Sequence, residues 1–187
     1  VSGTLYAVPE KCGYNTVAYN KTAVDPQAMT DINAIWDAKY KGKIGIYDYY
    51  VPEIEYVAIA LGKKPSELTE ADLPAIKEKL IALKANSAMV GDVTTVQQAL
   101  ASGSVDIVVG GGEWMTAGIA KDSPNLDYVI PKQGGIRWQQ GLGVFAASKN
   151  KDLAKKFVQY IVSPEGQGKL ATSSCYWGMP ANSKAVL

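Results

Sequence analysis

The sequence predicts an α/β protein built on a mostly parallel mixed sheet flanked by helices. Three observations carry that expectation. Short apolar segments of strand length recur along the chain, segments of helical period lie between them, and single turn residues rather than linkers join the two kinds. Taken in order, strands are expected at "TVAYN" (16–20), "KIGIYD" (43–48), "VDIVVG" (105–110), "DYVIP" (127–131) and "GLGVFAAS" (141–148). Thr69 followed by Asp72 makes a capping box with Asp in the Glu role, after which Ile76, Leu80 and Leu83 recur at helical spacing. Asn150 is placed to cap a helix carrying Leu153, Phe157, Tyr160 and Ile161 on one face. Ser163 with Pro164 behind it opens another.

Composition excludes several functions. With 47% apolar and 20% charged residues the chain is an ordinary globular sequence, not a disordered or fibrous one. A net charge of +1 with scattered lysines gives no footprint for nucleic acid. No run reaches the roughly 18 apolar residues of a membrane helix. The first residues, "VSGTLYAVPE", do not form a signal peptide, so an export signal is expected to lie outside this chain. Histidine is absent, which removes the commonest general base, the usual zinc ligand and the Ser-His or Cys-His pairs. No cofactor, metal or catalytic residue is therefore expected. Cys12 and Cys175 stand near opposite ends; composition leaves open two buried thiols or one disulfide.

In α/β sheets of this kind ligands bind where loops leave the carboxyl ends of strands. Three such exits are unusual: "YDYYVPEIEY", "GGGEWM" and "PKQGGIRWQQ". Tyr47, Tyr49, Tyr50, Trp114, Trp138, Tyr176 and Trp177 fall at exits or turns, where rings can wall a ligand or hold a cation over a face. Trp36, Tyr56 and Tyr160 sit inside helices and are expected in the core. Among the carboxylates, Asp48 follows a core strand and is expected to face a crevice, Glu113 is a further candidate, and Glu53 and Glu55 are expected in solvent. Gly110 to Gly112 lack the spacing of a dinucleotide fingerprint, and no Gly-Lys-Ser/Thr follows, so close packing is the expected role for at least two of them.

The segments "YAVPEKCGYNTVAYNKTAVDP", "IWDAKYKGKIGIYDYY", "VIPKQGGIRWQQGLGVFAASKNKDLAKKFVQYIVSPEGQGKLA" and "GMPAN" resemble, in order, the extracellular solute-binding proteins of ABC importers, the spermidine/putrescine-binding type above all. The resemblance implies a type II periplasmic-binding-protein fold, two α/β lobes with a small solute held between them. It further implies that residues 1–140 form the second lobe, that 141–174 return to an incomplete first lobe, and that 175–187 are a hinge-crossing strand and tail. Most of the usual first lobe has no counterpart here, so an exposed apolar face is expected, with self-association or a complementing first-lobe chain.

Residue by residue, the resemblance makes Trp138 the stacking ring, with Gln139 and Gln140 as neutral hydrogen-bonding groups. Gln140 stands where polyamine binders carry an aspartate. The family's acidic pair after the "KGK" strand corresponds to Asp48 with Glu53 or Glu55, and Asp48, beside Tyr49, is the partner for a cationic group. The family tryptophan after "DIVV" falls at Gly111, with Trp114 and its neighbour Glu113 one loop turn on. Trp177 stands near an expected tyrosine. The resemblance also implies a disulfide between Cys12 and Cys175 in an oxidising, periplasmic or other extracytoplasmic compartment. The function implied is capture of a small polar or cationic, polyamine-like solute for a membrane permease, without enzymatic activity. Two other readings are a truncated or engineered half-protein that acts in assembly, and a hydrolase using carboxylates.

Overall fold

The computed structural model describes residues 3–173 and 177–185. The chain divides into two compact units, Tyr14–Ile136 and Val1–Gly13 with Arg137–Leu187.

In the unit Tyr14–Ile136 the strands run in the order β3-β2-β4-β1-β5. β1 (Val8–Asn20) contributes its second half, followed by β2 (Ile44–Tyr47), β3 (Ser87–Gly91), β4 (Ile107–Gly111) and β5 (Leu126–Val129). β2 is parallel to both β3 and β4, whereas β1 is antiparallel to β4 and β5. The sheet is thus mixed, with its parallel part made of β3, β2 and β4. Helices α1 (Tyr50–Ala60) and α2 (Leu73–Asn86) carry the chain from β2 to β3, and α3 (Val93–Ser102) carries it on to β4. Such crossovers bring each strand back in the same direction.

The Thr69–Asp72 capping box forms, with the Thr69 N–H donating to Asp72 at 2.8 Å, and α2 follows it. Asp92 caps α3 by accepting from the Thr95 N–H at 3.1 Å, and left-handed Gly103 ends that helix. Alternation along the strands sorts side chains to two faces. Val17, Tyr19, Ile107 and Val109 pack with Ile32, Ile44, Tyr56 and Leu83; Ala18 and Val108 pack with Val96, Leu100 and Met115. Each large apolar side chain buried this way contributes about 1.5–3 kcal/mol. Trp36 joins the first cluster and donates its indole N–H to the Lys79 carbonyl at 3.0 Å.

The unit Val1–Gly13 with Arg137–Leu187 is built differently. The first half of β1 pairs antiparallel with β7 (Met179–Pro180) through Lys11↔Pro180 and Cys12↔Met179, and β6 (Ile136–Leu142) also pairs with β1. The strand expected at 141–148 therefore begins and ends earlier. Gly141 and Gly143 lie close to the Val8 and Tyr6 carbonyls, and beyond them the chain turns, with the Ser148 N–H donating to the Phe145 carbonyl at 3.1 Å.

α5 (Lys151–Ile161) and α6 (Pro164–Ala171) follow, and Ser163 caps α6 by accepting from the Gly166 N–H at 3.1 Å. Fully buried Gln167 ties the unit together: its Oε1 accepts from the Ala181 and Asn182 N–H groups at 2.8 and 3.2 Å, and its Nε2 donates to the Ile161 carbonyl at 3.0 Å. α5 forms with its apolar face exposed, Phe157 at 58% and Leu153 and Tyr160 also in solvent. Tyr160 is thus no core residue, unlike Tyr56. Among the described residues Ala171 is the one buried apolar side chain of this unit, and Phe145 is 87% exposed.

Candidate functional site

Parallel β2 and β4 end side by side, and their exits build one site within the unit Tyr14–Ile136. β4 runs into three glycines and then the short helix α4 (Glu113–Thr116). All three glycines are required by packing. Gly110 has φ 82°, and a Cβ there would fall on Glu53 Oε1 and lie 3.1 Å from Tyr47 Cβ. A Cβ at Gly111 would lie 2.9 Å from Ala18 Cβ, and one at Gly112 would overlap the Tyr14 carbonyl. Gly111 is accordingly buried in the packing of β4 against Ala18 and Met115.

β2 runs through Tyr47 and Asp48 into α1, whose N-cap is Tyr49. The rings form a chain: Tyr47 lies 5.9 Å from Tyr49 and 5.9 Å from Trp114, and Tyr50 lies 6.5 Å from Tyr49. Trp114 is oriented by its indole N–H, which donates to Asn15 Oδ1 at 3.2 Å. Tyr47, Asp48, Tyr49, Tyr50 and Glu53 line a hollow of about 250 Å³. Asp48 and Tyr49 are exposed there.

Two buried carboxyl groups belong to the same strand exits. Glu113 is 2% exposed; its Oε1 accepts the Tyr14 N–H at 2.8 Å, while Oε2 is buried with no hydrogen-bond partner among the described residues. Burial raises its pKa, with the Tyr14 bond acting the other way. Glu53 corrects the sequence expectation of a solvated residue: it is 5% exposed and neither oxygen has a hydrogen-bond partner among the described residues. Burial pushes its carboxyl up to about 8. It turns inward because Pro52 and Glu53 sit in the first turn of α1, facing β4, where Gly110 leaves the room of a missing side chain. Glu55 is half-buried instead of solvated. Ring faces, an exposed carboxylate and two carboxyl groups without full hydrogen bonding suit an organic cation.

The remaining expected residues lie in the other unit. Trp138 belongs to strand β6, not to a turn, and the turn precedes it, with the Gly134 N–H donating to the Pro131 carbonyl at 2.9 Å. It is half-buried, and its indole N–H has no hydrogen-bond partner among the described residues. The Lys11 ammonium lies 5.9 Å from its ring centroid. Lys11 is itself buried, and desolvation lowers its pKa against the opposing effect of Glu10. Gln139 and Gln140 are exposed, and Trp177 is half-buried. Cys12 is half-buried on β1; Cys175 and Tyr176 lie outside the described residues, and with them the expected disulfide. Among the described residues no group of three or more Cys, Asp or Glu side chains is arranged to hold a metal ion.

The whole chain, residues 1–187, matches the model of the bacterial extracellular solute-binding proteins. The chain belongs to that family. This solute-binding chain is similar to the spermidine/putrescine-binding periplasmic protein of Escherichia coli (strain K12), at 26% identity over 173 residues, which is 91% of this chain and 49% of that protein. It therefore spans about half the length of the curated relatives it matches. Among solved structures it resembles the spermidine/putrescine substrate-binding protein PotD of Streptococcus pneumoniae, with a TM-score of 0.77 at 21% identity, covering 97% of this chain and 58% of that one. It also resembles MotA of A. tumefaciens B6 in complex with glucopine, with a TM-score of 0.80 at 24% identity, covering 98% and 58%. These likenesses establish the type II periplasmic-binding-protein fold. The family is one of solute binders, and no helix among the described residues is long and apolar enough to cross a membrane.

Sequence reasoning missed Lys11 beside Trp138 and the burial of Glu53. The burial of Glu53 depends on Gly110, far away in sequence, so no local signal gave it.

Proposed function

We propose that this chain is the solute-capturing part of an ABC importer's binding protein, working outside the cytoplasm, and that its solute is a small organic cation of polyamine-like character. The observation that carries this reading is the joint exit of β2 and β4, where the linked rings of Tyr47, Tyr49 and Trp114 gather with exposed Asp48 and the buried carboxyls of Glu53 and Glu113. Asp48 meets an ammonium group, the rings cover its methylene chain, and Trp114 is held in place by Asn15. The spermidine/putrescine-binding relative supports an amine as the solute.

Within the other unit, Trp138, Gln139, Gln140 and Trp177 are the further candidates for contact with a solute. The glucopine complex of MotA is a precedent in the same fold for a ligand other than a polyamine. The partners are this solute and a membrane permease. A Cys12–Cys175 disulfide, and residues 1–140 as the second lobe with 141–174 returning to the first, are part of the same reading.

The exposed face of Phe145, Leu153, Phe157 and Tyr160 is the surface on which the remaining half of a relative's length sits, whether on this polypeptide or on another.

Calorimetric titration with putrescine and with a monoamine tests the reading. Asp48→Asn and Trp114→Ala each weaken binding by about tenfold or more, the equivalent of about 1.4 kcal/mol. Unchanged affinity in both variants removes this exit as the site.

A further inference from the structure

Glu53 is the one side chain among the described residues with two buried oxygens that both lack a hydrogen-bond partner. Its Oε1 sits where a Cβ at Gly110 would fall. The groups around it do not balance a charge. Tyr56, on the same helix, has a buried hydroxyl that also lacks a partner among the described residues. β4 presents glycine at this point, and β2 presents Tyr47, with Asp48 just beyond it. Lys84 of α2 lies exposed on the far wall of the hollow and makes no ion pair with Glu53, while Glu113 opens the helix that follows the same glycines. A carboxylate in such a place stands uncompensated, whereas a neutral acid is tolerated.

Taking from the proposed function that the solute is a cation, we infer that Glu53 is the cation-selecting group of this lobe and works by proton exchange. In the empty lobe it rests as a neutral acid in the seat left by Gly110. When an ammonium group enters the hollow lined by Tyr47, Tyr49 and Tyr50, Glu53 gives its proton to the solvent and turns outward as a carboxylate to pair with the cation. One positive charge enters as one leaves, so the net charge of the site is unchanged. A neutral solute cannot drive the exchange, and it meets only the resting acid. Selectivity for cations thus comes from the ionisation of Glu53 in addition to the standing charge of Asp48 on the same hollow.

Burial pushes the Glu53 carboxyl up to about 8, so at pH 7 nearly one proton is released for each cation bound. Two measurements on the full chain test the exchange. Carbon-13 NMR of the glutamate carboxyl groups, with Glu53→Gln to assign the signal, reads the empty protein. Titration near pH 8 supports the inference, and titration in the ordinary glutamate range near 4.5 overturns it. Calorimetry with putrescine in buffers of different ionisation enthalpy reads the exchange. The inference predicts release of close to one proton and affinity that rises about tenfold per pH unit between pH 6 and 8. Glu53→Gln abolishes both. Putrescine that binds with neither proton release nor pH dependence overturns the exchange and leaves the cation reading standing. If uncharged 1,4-butanediol binds and putrescine does not, the cation reading falls and the exchange with it.

Discussion

Replacing Glu53 by Gln separates the effect of its charge from that of its shape, because the amide is close to isosteric with the neutral acid. The carboxyl moves from an ordinary value of 4.5 to about 8 on folding, a rise of about 3.5 units. The folded state therefore holds a proton that the unfolded chain has lost throughout that window. Stability from this group is fully present below pH 4.5 and is lost as pH rises towards 8. At about 1.4 kcal/mol per pH unit the loss approaches about 5 kcal/mol, an upper bound because water that enters the opened hollow solvates the anion. Asp72, which Lys63 and Thr69 hold down to about 2, works in the opposite sense, its stabilisation being lost only below pH 3.8, outside this window. Urea denaturation of both proteins from pH 4.5 to 8.5 is the assay. The variant should match the native chain at the acid end and become the more stable of the two as pH rises. Parallel stability curves across the range would refute a buried, unpaired Glu53.

Three further substitutions probe the rest of the fold. Gln167→Leu removes three hydrogen bonds that join α6, the Ile161 carbonyl and the segment at Ala181 and Asn182, and costs about 3 kcal/mol in urea denaturation. Hydrogen exchange at the Ala181 and Asn182 amides should accelerate with it. Gly112→Ala puts a Cβ onto the Tyr14 carbonyl in extended backbone, where only sterics act, and lowers stability by about 1–3 kcal/mol; an unchanged thermal midpoint would show that the exit of β4 is loosely packed. Phe157→Glu changes the stability of the isolated chain by no more than about 0.5 kcal/mol, since the ring is exposed, but lowers any self-association seen by sedimentation.

Much of the fold was legible because its signals are local. The capping box at Thr69, the Ser163–Pro164 start and the apolar strands around β2 and β4 each need only neighbouring residues, and each forms. β3 was not legible: "SAMVG" has one β-branched residue and lies at the edge of its sheet, so its pattern is weak. The run 143–148 misled in the other direction, being apolar without a strand partner among the described residues. At the site, aromatic residues at strand exits pointed to the Tyr47–Trp114 wall, and Asp48 stands exposed on it. The burial of Glu53 was not legible, because it depends on a glycine 57 positions away in the sequence whose missing side chain makes room for it.

The central claim is that the joined exits of β2 and β4 capture an organic cation. Ligand-induced change in melting temperature tests it most directly, with putrescine, spermidine and γ-aminobutyrate set against glucose. A ligand at a hundredfold excess over its dissociation constant stabilises the folded chain by about 2.7 kcal/mol, and for a chain of this length that raises the midpoint by several degrees. The account predicts such a rise with at least one of the amines, its reduction in Asp48→Asn, and none with glucose. A rise with glucose and with no amine would contradict it.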